Sequence, residues 1–172
     1  MTDPADMERA YDAAFAAAAP AGLQARPEIA QDEGFLRALW LETFPLRDVL
    51  PAPLLAQQAD LRIAAFRSNY PGAMRRIAVR AEGAVGRIII DWRAAGASHC
   101  VDVAVRAADG RRGVGTALLR AWIEVADRRG IACSLNVAPD NPARALYARL
   151  GFRETADDPA AASIGMSRPA GA

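Results

Sequence analysis

The sequence contains no lysine; all 21 of its basic residues are arginine. This excludes the nucleotide-binding P-loop, in which a Gly-Lys-Ser/Thr lysine reaches the terminal phosphates. A single histidine and two cysteines, with no Cys-x-x-Cys pair, offer little from which to assemble a metal site. Charge of one sign is missing too. Twenty acidic residues nearly cancel the arginines for a net +1, so no broad basic face is available for nucleic acid or an anionic membrane. Nor is there a long apolar run. The most membrane-like stretch, AAFAAAAPAG, is ten residues of mostly alanine, and it follows Asp3, Asp6, Glu8 and Asp12 rather than a basic segment. The expectation is a cytoplasmic protein with no metal, no nucleic-acid partner and no membrane association.

At 172 residues and 52% hydrophobic, the chain suits one domain with a real core. Cys100 and Cys133 lie inside apolar runs that read as strands, so both are expected as buried thiols. Residues 1–22 hold helix formers but few large apolar side chains, and read as an N-terminal helical arm outside the core, leaving 23–172 as the main domain. A short strand over Leu23–Ala30 precedes two helices, Gly34–Phe44 and Leu54–Tyr70, joined through Pro45, Pro51 and Pro53. The second helix carries an apparent stripe of Leu54, Leu55, Gln58, Leu61, Ala65 and Phe66. From Met74 the period becomes two, with RRIAVRAEG and AVGRIIIDW forming a hairpin about Glu82–Gly83 and HCVDVAV (His99–Val105) a further strand. A helix starting near Val114, a strand over Gly130–Val137, a helix over Asn141–Phe152 and an edge strand at Ile164–Arg168, after a break at DDPAAAS, complete the order β-α-α-β-β-β-α-β-α-β. That order describes a mixed α/β sheet.

One stretch carries chemistry. DGRRGVGTALLRAW (Asp109–Trp122) places glycines and arginines just ahead of a helix whose apolar stripe runs Val114, Ala117, Leu118, Ala121, Trp122, Val125. A helix start exposes unpaired N–H groups and the positive end of a dipole, and glycines let an anion approach without Cβ atoms in the way. Arg111 and Arg112 add charge, so the stretch suits phosphate. A dinucleotide fingerprint read from Gly113 and Gly115 requires a third glycine where Leu118 stands, so that nucleotide fold fits poorly.

VDVAVRAADGRRGVGTALLRAW, with NPARALYARLGF downstream, resembles the GNAT superfamily of acetyl-coenzyme A-dependent N-acyltransferases over roughly Leu23 to Arg168. The resemblance implies a sheet of about six to seven strands, two N-terminal helices on the substrate side, a coenzyme-binding helix after strand four, and splayed fourth and fifth strands. It implies that a Gln/Arg-x-x-Gly-x-Gly/Ala loop cradles the pyrophosphate. Gly113 and Gly115 take the glycine positions, with Val114 and Thr116 beside them, but Gly110 stands at the usual Gln/Arg position and Arg111 is the substitute charge. The pantetheine arm would pair with backbone around Val103 and Val105, an N–H near Val105 would polarise the thioester carbonyl, and Asn141 would reach the arm.

Amine acylation moves two protons. The resemblance makes Tyr147 the acid that protonates the leaving thiolate. For the base, His99, Asp102 and Asp91 are the candidates on the flanking strands. Some relatives carry a glutamate at the position of His99, and at another family position Asn136 cannot take a proton. His99 ranks first because its reference pKa of ~6.5 lies near working pH, against ~3.9 for an aspartate. Strand alternation groups His99 with Val101, Val103 and Val105, and Asp102 with Ala104 on the other face. Glu42 and Asp48, in the first of these helices and the joint after it, could attract a cationic amine. The implied activity is acetyl transfer from acetyl-coenzyme A to a primary amine of a small molecule or peptide by direct attack in a ternary complex, in a monomer or homodimer. The alternative is a catalytically silent acyl-coenzyme A-binding or protein-interaction module on the same fold.

Overall fold

The computed structural model describes residues 3–44, 47–93, 97–155 and 162–172. Pro45 and most of the DDPAAAS break lie outside the described residues. Seven strands form one sheet in the order β1-β2-β3-β4-β5-β7-β6. They are β1 (Gln24–Pro27), β2 (Met74–Arg80), β3 (Gly83–Asp91), β4 (Ala97–Val105), β5 (Ala132–Val137), β6 (Arg153–Glu154) and β7 (Ile164–Arg168). Every pairing is antiparallel except β4 with β5. The helices are α1 (Pro4–Ala18), α2 (Glu33–Thr43), α3 (Ala52–Asn69), α4 (Val114–Arg128) and α5 (Arg144–Arg149). The mixed α/β architecture matches the expectation. Ile164–Arg168 is not an edge strand, however: it lies between β5 and the two-residue β6, which forms the edge.

Both faces of the sheet are covered, which is why Ile88, Ile89 and Ile90 run consecutively and are all fully buried. One face packs on α1 and α4 through Ile88, Ile90, Cys100, Leu135 and Trp122. The other packs on α2 and α3 through Ile77 and Ile89, against Leu36, Ile63 and Phe66. All six residues of the expected α4 stripe are buried. Cys100 and Cys133 are buried free thiols, and burial pushes the Cys133 thiol up to about 11.

The N-terminal stretch, described from residue 3, is not an arm outside the core. Helix α1 buries Met7, Tyr11, Ala14 and Phe15 within the same core as α4. Alanine dilutes its stripe, yet three large side chains at one helical spacing suffice to dock it. Tyr11 Oη donates to the Leu118 carbonyl at 3.1 Å, and buried Arg76 of β2 reaches up to Asp12 (2.7 Å) and Glu8 (3.1 Å). Tyr11→Phe is expected to lower unfolding stability by about 1 kcal/mol in urea titration, the net worth of one such bond. An unchanged midpoint would show that the hydroxyl contributes nothing to docking.

Helix α3 also corrects a sequence expectation. Its core face is Ala59, Ile63 and Phe66, while Leu54 and Leu61 are exposed, Leu61 at 57%. Ile63 makes the difference, because it faces Ile77 and rotates the leucines away from the sheet.

Two irregularities in β4 shape the centre of the molecule. Its parallel pairing with β5 ends at Cys100–Leu135, although β4 continues to Val105 and β5 to Val137, so the strands splay. Its pairing with β3 skips between Ile89 and Ile90, leaving Val101 as an extra residue in a β-bulge. The bulge overturns the simple alternation. Val101 packs with Phe66 on the α3 face, whereas Val103 and Val105 pack on the α4 side. Asp102, paired in register with Ile89, therefore lies on the α3 face with His99 and Val101.

Candidate active site

The splay opens a cleft of about 430 Å³ lined by Asp102–Val105 on one wall and Gly115, Asn141, Leu146 and Tyr147 on the other. The β3–β4 register decides which backbone groups face it. Arg106 N–H donates to the Val85 carbonyl at 2.9 Å, and residues opposite one another in an antiparallel ladder alternate between bonded and unbonded pairs. Ala104 and Asp102 therefore point their amides toward β3, and Val103 and Val105 point theirs toward the gap that β5 has left. The half-buried side chains of Val103 and Val105 pack on the α4 core, so these two residues offer backbone alone.

The cleft ends at the glycine loop. A 3₁₀ turn over Ala107–Asp109 leads through Gly110 to Gly113, whose φ of 80° is the left-handed conformation that glycine adopts without cost. Helix α4 closes its first bond from Ala117 N–H to Gly113 O at 2.9 Å, so the amides of Val114, Gly115 and Thr116 precede it. The Val114 side chain is buried in the core and only its amide is at the loop. Arg111 is the one non-glycine residue with positive φ among those described, at 60°, a conformation costing roughly 1 kcal/mol. Its side chain is exposed, as is that of Arg112, which bonds Asp109 at 3.2 Å. The loop thus combines helix-start amides, a left-handed glycine and two outward guanidinium groups. An extended, anion-terminated ligand fits that arrangement, because the open β4 backbone and the helix start are continuous.

On the opposite wall Tyr147 is 6% exposed and packs edge-on against Phe152. Burial pushes its phenol well above the ordinary value of 10, so it stays protonated. Asn141 accepts the Ala143 amide at 2.9 Å and caps the turn into α5, which begins at Arg144 rather than at Asn141 because Asn141–Ala143 form a tighter turn.

Through the sheet, on the α3 face, lies a second cavity of about 530 Å³ between α3, the end of β5 and His99. His99 Nδ1 is 3.0 Å from Ser134 Oγ, and Ser134 Oγ donates its only hydrogen to the Ser98 carbonyl at 3.3 Å. Ser134 can then only accept, so Nδ1 carries the proton and Nε2 is left as the basic nitrogen. Burial lowers the His99 pKa below its ordinary value, partly opposed by Asp91, which favours the neutral ring. Asp91 sits opposite His99 in the ladder and accepts the Arg93 amide at 3.0 Å. Asp102 Oδ2 takes both Arg87 Nη2 (2.7 Å) and Nε (3.2 Å), so accepting a proton there would break a largely buried ion pair. Glu42 is occupied by the Ala107 amide at 2.8 Å and by Arg106, tying α2 to the end of β4. Asp48 is paired with its neighbour Arg47, away from the cavity lining.

Sequence reasoning missed Ser134 and Arg87. Arg87 had a legible signal, since a cation inside a buried isoleucine run requires a partner. Ser134 had none, because only the parallel pairing of His99 with Ser134 brings the two side chains together. Among the described residues no cluster of three or more His, Cys, Asp or Glu side chains could hold a metal ion, and no helix is long and apolar enough to cross a membrane.

Residues 74–154 match the acetyltransferase (GNAT) domain. Solved structures with the same fold include the PaiA N-acetyltransferase of Thermoplasma acidophilum in complex with coenzyme A, at 16% identity and a TM-score of 0.66 over 86% of this chain and 98% of that one. They also include a histone acetyltransferase HPA2-related acetyltransferase of Corynebacterium glutamicum, at 24% identity and 0.65 over 88% and 98%. The ribosomal-protein-S18-alanine N-acetyltransferase of Escherichia coli is similar at 20% identity and 0.61 over 86% and 94%. Among curated proteins none matches the chain by sequence. The match to the GNAT acetyltransferase domain thus lies in residues 74–154, and acetyl-coenzyme A is the typical cosubstrate of that family.

Proposed function

We propose that the protein transfers an acetyl group from acetyl-coenzyme A to a primary amine by direct attack, with both substrates bound on opposite sides of the splayed strands. The observation that carries this reading is the continuity of the unpaired β4 backbone with the amides of Val114, Gly115 and Thr116. The pyrophosphate binds those amides with Arg111 and Arg112 alongside, and the pantetheine arm runs along β4 toward the bulge. Val105 adjoins the loop, so it pairs with the pyrophosphate end of the arm. At ~3.3 Å per residue the thioester falls nearer Val103 and Val101, which moves the oxyanion-hole role from the neighbourhood of Val105 to the Val103 amide.

The amine nitrogen attacks the thioester carbon from the α3-side cavity, a C–N bond forms and the C–S bond breaks. His99 Nε2 accepts the amine proton, directly or through one water, and Tyr147 Oη donates to the departing sulfur. Asn141 orients the arm. Asp91 and Asp102 hold the frame around His99 and the bulge. The reaction needs no covalent acyl-enzyme, and the two cysteines are buried in the core and line neither the cleft nor the α3-side cavity. A cytoplasmic location fits a reaction that draws on acetyl-coenzyme A.

Steady-state thiol release with a panel of amines tests the reading. Acetyl-coenzyme A binding without turnover of any amine would leave a binding module. His99→Gln is expected to depress kcat/KM at pH 7 by about tenfold or more and to remove the acidic limb of its pH profile. The sign follows from burial: His99 titrates below ~6.5, so wild-type activity falls as pH drops through that lowered value. A limb retained at full height would remove His99 from the role of base.

A further inference from the structure

The lining of the α3-side cavity is unusual in its charge. Its polar side chains are Arg62, Asn69, Tyr70, His99, Asn136 and Ser163, and among the described lining residues there is no carboxylate. Among these described residues a second ammonium on an acceptor has no carboxylate to balance it. Three described acids on the neighbouring elements have partners of their own: Asp102 bonds Arg87, Asp91 the Arg93 amide, and Glu42 both Arg106 and the Ala107 amide.

Arg62 is the opposite case. Its guanidinium lies over the Phe66 ring, 4.5 Å from the centroid, and Arg87 lies 5.1 Å from the same ring. Arg87 is neutralised by Asp102, but among the described residues Arg62 has no ion pair. Five residues further along α3, Arg67 has Glu28 and Glu33. Among the described residues Arg62 is thus an exposed cation without an ion-pair partner, and it lines the cavity. It also borders an adjoining groove in which Trp40 stacks on Phe44 beside the exposed Leu61. A guanidinium set in this way binds an anion in fork geometry, and the stacked ring holds its plane.

We infer that the acceptor is a small amine carrying an anionic group, with the anion on Arg62, the amine toward His99 and any apolar portion over Trp40 and Leu61. Polyamines and lysine-rich peptides are disfavoured. This rests on the proposed acetyl transfer and narrows its acceptor. A carboxylate and a phosphate share the chemistry, and matched acceptors separate them.

The test measures thiol release for apolar amino acids, their carboxamides, aminoalkyl phosphates and diamines, with wild type, Arg62→Gln and Arg62→Lys. The anionic acceptors are expected to exceed their neutral partners in kcat/KM by about tenfold or more, the diamines to be the poorest, Arg62→Gln to collapse the ratio and Arg62→Lys to restore much of it. The better of the carboxylate and phosphate members identifies the anion. A wild-type preference for carboxamides or diamines, or a ratio unchanged in Arg62→Gln, overturns the inference while leaving acetyl transfer standing. If no amine is turned over, calorimetry on the coenzyme A-loaded protein compares N-acetyl amino acids with their carboxamides. Arg62-dependent binding of the acids supports the anionic site, and equal or absent binding overturns it. Failure of coenzyme A itself to bind would instead remove the catalytic reading.

Discussion

Gly115→Glu is expected to abolish coenzyme A binding without unfolding the protein. Gly115 is the second residue of α4 and lies on the wall of the cleft. A Cβ built there would meet Val105 Cγ2 at 3.6 Å and Leu146 Cδ2 at 4.0 Å, ordinary contacts that the fold can accept. The glutamate's longer arm must extend into the cleft, where its carboxylate would lie against the amides of Val114, Gly115 and Thr116. Acidic side chains in a first helical turn favour the macrodipole, by ~0.3–1 kcal/mol. The substitution should therefore hold or raise the melting temperature while filling the anion site with the protein's own charge. Calorimetry should show wild type binding with low-micromolar to sub-millimolar Kd and the variant with none measurable at roughly millimolar ligand. Gly115→Ala, with the Cβ alone, should weaken binding less. Binding by Gly115→Glu as tight as wild type would mean that the pyrophosphate does not use this loop.

How much of this was legible in the sequence depends on whether a feature is local. The α4 stripe, the hairpin around Glu82 and the glycine loop each rest on residues within one or two turns of one another, and their spacing is written in the chain. The docking of α1 was obscured because alanines surround its three large apolar side chains, and its polar ties run to Arg76 and Leu118, far away in sequence. The rotated face of α3 depends on which of Leu61 and Ile63 meets β2, a tertiary choice that helical periodicity leaves open. The bulge at Val101 was the costliest omission. One inserted residue moves Asp102 to the face of His99, and no turn residue or glycine in VDVAV marks it. The tautomer of His99 is likewise set by a parallel strand more than thirty residues away.

Tyr147→Phe is expected to lower kcat by about 100-fold, with coenzyme A affinity and stability nearly unchanged. The ring keeps its edge contact with Phe152, and among the described residues the Tyr147 hydroxyl has no hydrogen-bond partner, so its loss breaks no bond within the fold. The size of the effect follows from the phenol's environment. Burial raises its pKa above 10, whereas an ordinary thiol titrates near ~8.5. Complete transfer of its proton to the thiolate is therefore uphill, and its contribution is a hydrogen bond that strengthens as charge develops on sulfur. That places the loss at the low end of the ~10²–10⁴ range for acid catalysis. The same shift fixes the pH dependence. The phenol remains protonated throughout an assay range of pH 6 to roughly 9, so it adds no basic limb there. Tyr147→Phe should lower the whole kcat profile without changing its shape, whereas His99→Gln lowers the plateau and also removes the acidic limb. Equal rates for Tyr147→Phe and wild type at saturating substrates would leave Tyr147 with only its packing role, and the sulfur would have to take its proton from water.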